Sequence, residues 1–301
     1  MKIEPRDKWL IPLSFFAIYI LWGANYLANF YAIQDIPVFL MCSGRFFIAG
    51  ALLYLIVKAF GVPNPTRIQW RNAIFSGFLF LVLGTAAIIW SLQFVYTGIA
   101  SLIVGLEPLV IVLLLWKMRG QKPRKRSWIG ISIGFVGMGL LVMQDQFLTD
   151  DMTLVGIGVI LFCIIAWGYA TLYVGDKDLP ESKLLTSAIQ MLSGGVILFF
   201  ISLVAGEWQA FEIQNVGNRA WGGLTFAIIC GSLISFSAFN YLLVKVSPEK
   251  VATSTYINPI VAMLVGWYFN NEELSSQSLV AALLMLFGVF FIVSKKTKQE
   301  V

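Results

Sequence analysis

The sequence predicts an all-α integral membrane protein with ten transmembrane helices in two inverted five-helix repeats. The prediction rests on the composition, the distribution of basic residues and a similarity between the two halves. Of the 301 residues, 58% are hydrophobic and 12% are charged, and the mean hydropathy is +0.82. Soluble domains carry about 25% charged residues. The composition therefore excludes an ordinary cytosolic enzyme, a disordered protein and a nucleic-acid binder.

The chain has no histidine and only three cysteines, which are far apart. Histidine bases, histidine metal sites and histidine proton relays are therefore excluded. Cys42, Cys163 and Cys230 lie inside apolar runs, so their spacing supports neither a disulfide framework nor a cysteine metal site. We predict no catalytic residues, no metal and no cofactor.

Charge-poor runs define the individual helices, because a spanning helix needs about 20 mostly apolar residues. The first run is too long for a signal-peptide core and lacks a small-residue cleavage site, so we interpret it as a retained helix. The ten predicted spans are roughly 9–31, 37–57, 72–94, 97–116, 127–144, 153–174, 183–204, 220–244, 250–269 and 275–294.

The basic residues orient these spans. If the amino terminus is cytoplasmic, nineteen of the 21 Lys and Arg residues fall on the cytoplasmic side, with Arg219 outside and Arg45 within a span. This asymmetry follows the positive-inside rule. It predicts that both termini are cytoplasmic. The dense cluster Lys117–Arg126 is explained by orientation and contact with membrane lipids rather than by nucleic-acid binding.

The two halves of the chain are similar when one is slid over the other. An offset of 151 residues aligns later helices, and an offset of 145 aligns earlier ones. Because each repeat holds five helices, the second is inverted relative to the first, as is common in secondary transporters. We place the repeats at residues 1–145 and 150–301. The aligned pairs are Trp22-Gly23 with Trp167-Gly168, Gly50 with Gly195, Trp90 with Tyr241, Glu107-Pro108 with Asn258-Pro259, and Gly137 with Gly288.

Two charged residues, Arg45 and Glu107, lie deep inside predicted spans. Both are expected roughly 12–15 Å below the outer surface. A charge there costs about 2.5–3.5 kcal/mol, so each should face the protein interior or a wet cavity. Arg45 either binds a substrate carboxylate or phosphate or forms a structural pair with Glu107. Glu107 either couples transport to a proton or amine or supports the neighbouring proline.

Pro108 and Pro259 occupy matching places in helices 4 and 9, and we predict that they act as hinges. A proline removes one helical hydrogen bond, and paired interruptions of this kind are typical of a transporter's central site. Polar and aromatic residues cluster at similar depth. The predicted substrate-binding residues are Arg45, Trp22, Asn25, Trp90, Glu107, Trp167, Tyr169, Asn240, Tyr256 and Asn258.

Several motifs resemble the drug/metabolite transporter superfamily, EamA type. They are the Trp-Gly pair in the first helix of each half, the Arg-Phe-Phe of helix 2, and the stretch ASLIVGLEPLVIVLLLW (Ala100–Trp116) with its counterpart VATSTYINPIVAMLVGW (Val251–Trp267). The resemblance covers nearly the whole chain. It implies a bacterial inner-membrane carrier with a central cavity lined by helices 1, 3, 4, 6, 8 and 9.

The same resemblance assigns roles to individual residues. Arg45 matches the family's helix 2 arginine, Glu107-Pro108 its helix 4 motif, and Trp22 its helix 1 aromatic. The sequence departs from the family after helix 4, where a Gly-Glu pair is common and this chain has Met118–Lys122. The second half keeps acidic residues at the matching place, in Asn271-Glu272-Glu273.

Together these features predict a secondary-active transporter that exports small metabolites, such as amino acids or related solutes, by alternating access. The expected partners are a small solute and membrane lipids, and the protein is a monomer or a homodimer. The alternative is a non-transport membrane protein (a sensor, a scaffold or a lipid-processing protein) with the same helical bundle. That alternative gives no reason for inverted repeats.

Overall fold

The computed structural model describes residues 7–123, 125–143, 151–246, 251 and 254–293, and every regular element in this part of the chain is helical. The long helices follow the predicted spans closely. They are α1 (Asp7–Asp35), α2 (Val38–Ala59), α3 (Arg67–Ser91), α4 (Thr97–Arg119), α5 (Lys125–Val142), α6 (Asp151–Asp176), α7 (Lys183–Val204), α8 (Asn218–Leu243, continuing to Lys245), α9 (Ser254–Asn270) and α10 (Ser276–Val293).

Within the described ranges, seven helices are long and apolar enough to cross a membrane: α1 to α4 and α6 to α8. The other three, α5, α9 and α10, lie where the sequence predicts spans five, nine and ten. The count of ten spans stays a prediction. The extreme termini, predicted to be cytoplasmic, lie outside the described residues.

Three helices contain segments of wider, π-type turn. In α3 the hydroxyl of Thr85 donates to the carbonyl of Phe80 (3.0 Å), and in α8 the hydroxyl of Ser235 donates to the carbonyl of Cys230 (2.6 Å). Both bonds reach back five residues, and the two donors stand 150 residues apart, so the halves share a local feature. The π segments are Ala17–Leu21, Phe78–Ala86 and Ala227–Phe236.

Glycines bring the two halves into close contact. A Cβ atom on Gly50 of α2 would lie 2.6 Å from the backbone nitrogen of Leu192 in α7, and one on Gly195 would lie 2.6 Å from the nitrogen of Phe47. Only glycine allows backbones to approach so closely. Gly50 and Gly195 are aligned by the internal repeat, so equivalent helices of the two halves pack on each other.

Helices α5 and α10 repeat this arrangement. A Cβ on Gly137 would lie 2.8 Å from Met285 Cγ, and one on Gly288 would lie 2.6 Å from the carbonyl oxygen of Gly130. Gly137 and Gly288 are also aligned by the repeat. Two buried apolar clusters result, one centred on α2, α3, α7 and α8 and the other on α4, α5 and α10. Each cluster contributes residues to the cavity described next, for example Ile89 from the first and Leu92 from the second.

Candidate functional site

A small chamber of about 100 Å³ lies among α1, α3, α4, α6, α8 and α9. Its aromatic wall is formed by Trp22, Trp167 and Phe239, whose ring centroids lie 5.3 to 6.0 Å apart. Trp22 and Trp167 are aligned by the internal repeat, so the two halves contribute matching rings. The six helices are those that the family resemblance implies. The chamber's polar lining consists of Asn25, Tyr26, Asn29, Thr85, Ser101, Glu107, Ser254 and Asn258.

A second cavity, a wide vestibule of about 790 Å³, adjoins the chamber. Both cavities are lined by Glu107, Phe239 and Ser254, so these residues form the boundary between them. The vestibule extends to the helix ends that carry Arg119 and Asp176, whose side chains form a surface ion pair of 2.6 Å. The chamber is therefore reached from one end of the bundle.

The opposite end is closed by a buried carboxylate. Glu272, in the connection between α9 and α10, is 4% exposed. It accepts hydrogen bonds from the backbone N–H of Thr97 (3.1 Å), the hydroxyl of Thr97 (2.7 Å) and the backbone N–H of Gly98 (3.2 Å). These donors form the first turn of α4, where a negative charge is favoured by the helix dipole. A carboxylate from the second half thus binds the amino terminus of α4, which belongs to the first half.

A second carboxylate binds the amino terminus of α2. Glu207 accepts hydrogen bonds from the backbone N–H groups of Phe39 (3.2 Å) and Leu40 (2.8 Å). The hydroxyl of Tyr31 donates to the carbonyl of Phe269 (2.7 Å) and joins α1 to α9. The far end of the bundle is consequently held by several bonds between the two halves.

Glu107 lies where α4 is interrupted. The helix is broken by a turn at Gly105 and Leu106 and begins again at Glu107, with Pro108 in its new first turn. The partial positive charge of a helix amino terminus favours a carboxylate at this place. Among the described residues, no donor lies within hydrogen-bonding or ion-pairing distance of the Glu107 side chain. Glu107 therefore presents an unpaired carboxylate to both cavities.

Arg45 lies outside both cavities. Its side chain is 2% exposed, its Nε donates to the hydroxyl of Ser232 (2.8 Å), and its Nη1 donates to Oδ1 of Asn29 (2.7 Å). In the described part of the chain, no ion pair joins Arg45 to Glu107. The direct pair that equal depth allowed is thus not formed, because Arg45 is directed at α8 and α1. Its hydrogen bond to Asn29 connects it to the chamber wall.

Asn258, which the repeat aligns with Glu107, has a structural contact. With its amide oriented so that both atoms are satisfied, Nδ2 donates to the carbonyls of Ile18 (2.6 Å) and Tyr19 (2.9 Å). Both carbonyls belong to the π segment of α1. The corresponding part of α6 is continuous α-helix and offers no such acceptors. The first half thus lacks the contact that occupies Asn258 in the second.

The remaining predicted site residues are divided between the cavities and the packed interior. Asn240 lines the vestibule and donates to the hydroxyl of Ser187 (2.9 Å). Pro108 lines the vestibule and Pro259 the chamber. Trp90 and Tyr169 line neither cavity and pack against the apolar cluster of α2, α3, α7 and α8. The side chain of Tyr256 lies outside the described residues. The assignment of these residues to substrate binding stays a prediction.

Several lining residues were not singled out by the sequence analysis. Asn29 lies four residues after Asn25 on the same face of α1, and this spacing is the signal that could have found it. Ser101 lies nearly two helical turns before Glu107, and its side chain is 1% exposed. Phe239 looks like any other aromatic residue of a membrane helix in the sequence. Its place in the wall depends on the packing of α8.

A bundle of apolar helices around a polar and aromatic chamber, open through a vestibule, defines the protein as a multi-pass membrane protein of the transporter class. The chain belongs to the EamA-like transporter family, whose model matches residues 9–143 and again residues 155–294. This match establishes two repeats of the family's unit, and the family is one of transporters rather than enzymes.

Relatives agree with this membership. The chain is 32% identical over 290 residues to the uncharacterized inner membrane transporter YedA of Escherichia coli, with 95% of this chain and 92% of the relative covered. It is 25% identical to the chloroplastic WAT1-related protein At3g02690 of Arabidopsis thaliana, over 95% of this chain and 69% of that one. A crystal structure of another protein has the same fold, with a TM-score of 0.66 at 18% identity, covering 94% of this chain and 96% of that chain.

Proposed function

We propose that the protein is a secondary-active transporter of the cytoplasmic membrane that exports a small metabolite, such as an amino acid or a related solute, by alternating access. Ten spans in two inverted repeats would enclose the chamber as its single central solute site. The observation that carries the proposal is the unequal closure of the chamber, with a vestibule of about 790 Å³ at one end and a hydrogen-bonded seal at the other.

The distribution of basic residues supports an orientation for this asymmetry. The vestibule is bordered by Arg119, Lys177 and Lys183, which belong to the side that the positive-inside rule assigns to the cytoplasm. The seal that contains Glu272 then faces outward. A chamber open to the cytoplasm in this way is the state that would load a solute for export.

The interruptions and the shared packing of the repeats supply a mechanism. The matching contacts of α2 with α7 and of α5 with α10 place equivalent helices of the two halves against each other. The break before Glu107 and the proline within α9 are the points at which helices that line the chamber can bend. Rocking about these contacts would close the vestibule and release the bonds that Glu272 makes to the start of α4.

Two reporter cysteines can test the cycle, in a background in which the three native cysteines are replaced by alanine. Thr171→Cys places a thiol on the vestibule wall, and Leu92→Cys places one on the chamber wall at the sealed end. We expect a membrane-impermeant maleimide applied outside to label Leu92→Cys only while solute is cycling, and labelling of Thr171→Cys from inside to fall. Asn215→Cys, exposed between α7 and α8, is the control and should be labelled from outside throughout.

The labelling is paired with flux measurements in proteoliposomes over a panel of amino acids, amines and organic acids. Saturable counterflow of any panel member together with reciprocal labelling supports the proposal. Fixed labelling with no flux across the whole panel would contradict it.

A further inference from the structure

We propose that the chamber recognises its solute by a protonated amino group, with Glu107 as the binding carboxylate, and that Arg45 takes no direct part in binding. This inference rests on the proposed transport function and names the chemical class of its substrate: a small primary amine with an apolar body. It sets aside one of the two alternatives for Arg45, in which this arginine binds a substrate anion.

The first argument concerns charge. Of the residues that line the chamber in the described part of the chain, Glu107 alone is charged. The positive charge of Arg45, which is buried in the same bundle, is 2% exposed and is bonded to Asn29 and Ser232. An anion in the chamber would meet a carboxylate and no accessible cation, whereas an ammonium group would meet an unpaired carboxylate.

The second argument comes from the break in α4. The amino terminus of an interrupted helix can bind an anionic ligand. Here the chain itself supplies that anion, because Glu107 stands in the first turn of the restarted helix. The charge that remains for a ligand to satisfy is therefore negative, and the ligand must be positive.

The third argument comes from the internal repeat. Asn258, at the place equivalent to Glu107, uses its amide to bond two carbonyls of the π segment in α1. A carboxylate cannot donate such bonds, and α6 has no π segment opposite Glu107. The amide of one half is occupied by the fold while the carboxylate of the other half is left unpaired, which is the arrangement expected of a ligand-binding group.

The rest of the chamber suits the same ligand. Trp22 and Trp167 offer ring faces that attract cations and pack against apolar groups. Ser101 also lines the chamber, and its hydroxyl can accept from an ammonium group. An ammonium carries three donors, so the carboxylate and this hydroxyl can both be satisfied by one ligand.

Three compounds that share a phenylethyl unit test the proposal on the wild-type protein: phenethylamine, phenylalanine and 3-phenylpropionate. They share the ring and differ in carrying an amine, both groups or a carboxylate. We expect saturable stabilisation of the purified protein in the order phenethylamine, phenylalanine, 3-phenylpropionate, with the last inactive. Tighter binding of 3-phenylpropionate than of phenethylamine, or no response to phenethylamine, would overturn the proposal.

Glu107→Gln is the matched variant, because it keeps the shape of the side chain and removes only the charge. A bond to a charged group contributes about 1.5–3 kcal/mol, so phenethylamine affinity should fall about tenfold to a hundredfold. Glu212→Gln is the control: the same exchange at an exposed position between α7 and α8, outside both cavities, should leave the affinity unchanged. Equal affinity in wild type and Glu107→Gln would overturn the assignment of Glu107.

The two proposals fail separately. Counterflow of other panel solutes with no response to phenethylamine would overturn the amine proposal and leave the transport function standing. Saturable binding of phenethylamine that depends on Glu107, without flux or reciprocal labelling, would support the amine site and contradict the transport cycle.

Discussion

Replacing Arg45 by methionine should destabilise the protein far more than replacing Glu107 by glutamine. Arg45→Met leaves the hydroxyl of Ser232 and Oδ1 of Asn29 without their donor, in a region where Arg45 is 2% exposed. A buried polar group that loses its partner costs about 1–3 kcal/mol in soluble proteins, and hydrogen bonds in a membrane bundle average about 0.6 kcal/mol. The two orphaned acceptors together give a loss of about 1–6 kcal/mol. No large cavity adds to this loss, because methionine fills most of the space.

Glu107→Gln breaks no hydrogen bond or ion pair in the described part of the chain. The expected change is within about 0.5 kcal/mol, as for substitutions away from any such feature. Unfolding in mixed micelles, followed by tryptophan fluorescence during an SDS titration, measures both variants against wild type. Exchanging the two charges, as Arg45→Glu with Glu107→Arg, should not restore stability. Recovery in that double variant, or equal losses in the two single variants, would refute our description of Arg45.

Three further predictions concern packing and closure. Gly50→Ala should lower stability measurably, because its Cβ would meet the backbone of α7, whereas Gly44→Ala in the same helix has open space and should be neutral or slightly stabilising in the same SDS titration. Glu272→Gln should weaken the seal at Thr97 by about 1–3 kcal/mol and raise maleimide labelling of a chamber cysteine from outside; unchanged labelling would contradict its role. Asn258→Asp should cost stability because a carboxylate would face two carbonyls of α1, and a thermal denaturation scan that matches wild type would argue against that contact.

Much of the fold is predictable from the sequence, because apolar runs and basic loops can be identified directly from the order of the residues. The span predicted at 183–204 coincides with α7, and the span predicted at 37–57 differs from α2 by one residue at its start and two at its end. The matching glycines were visible as aligned positions. Their role needed the structure, because contact between α2 and α7 depends on how the two halves meet.

The site was only partly predictable. Counting residues gives the depth of Arg45 and Glu107, but the direction of each side chain depends on how its helix is rotated about its axis. Arg45 is directed at Ser232, which lies 187 residues further along the chain, and the sequence around Arg45 does not indicate this partner. Likewise, the acidic residue Glu272 is visible in the sequence. Its contact with Thr97 could not be predicted, because the two residues are 175 positions apart in the chain.

The π segments were not predicted. Hydrophobic patterns describe which residues are buried and do not distinguish a wider turn from an ordinary one. Yet the π segment in α1 supplies the carbonyls to which Asn258 donates. The described part of α6 has no such segment, and Glu107 is left unpaired. A difference between two similar halves was therefore more informative than their similarity.

Counterflow of radiolabelled phenethylamine in proteoliposomes, with wild type and Glu107→Gln at equal protein density, tests the central claim most directly. Our account predicts saturable counterflow in wild type and loss of most of it in a variant whose stability is unchanged. Equal rates in the two proteins would contradict the claim that Glu107 binds the solute in the chamber, and no counterflow in wild type would contradict transport of this amine.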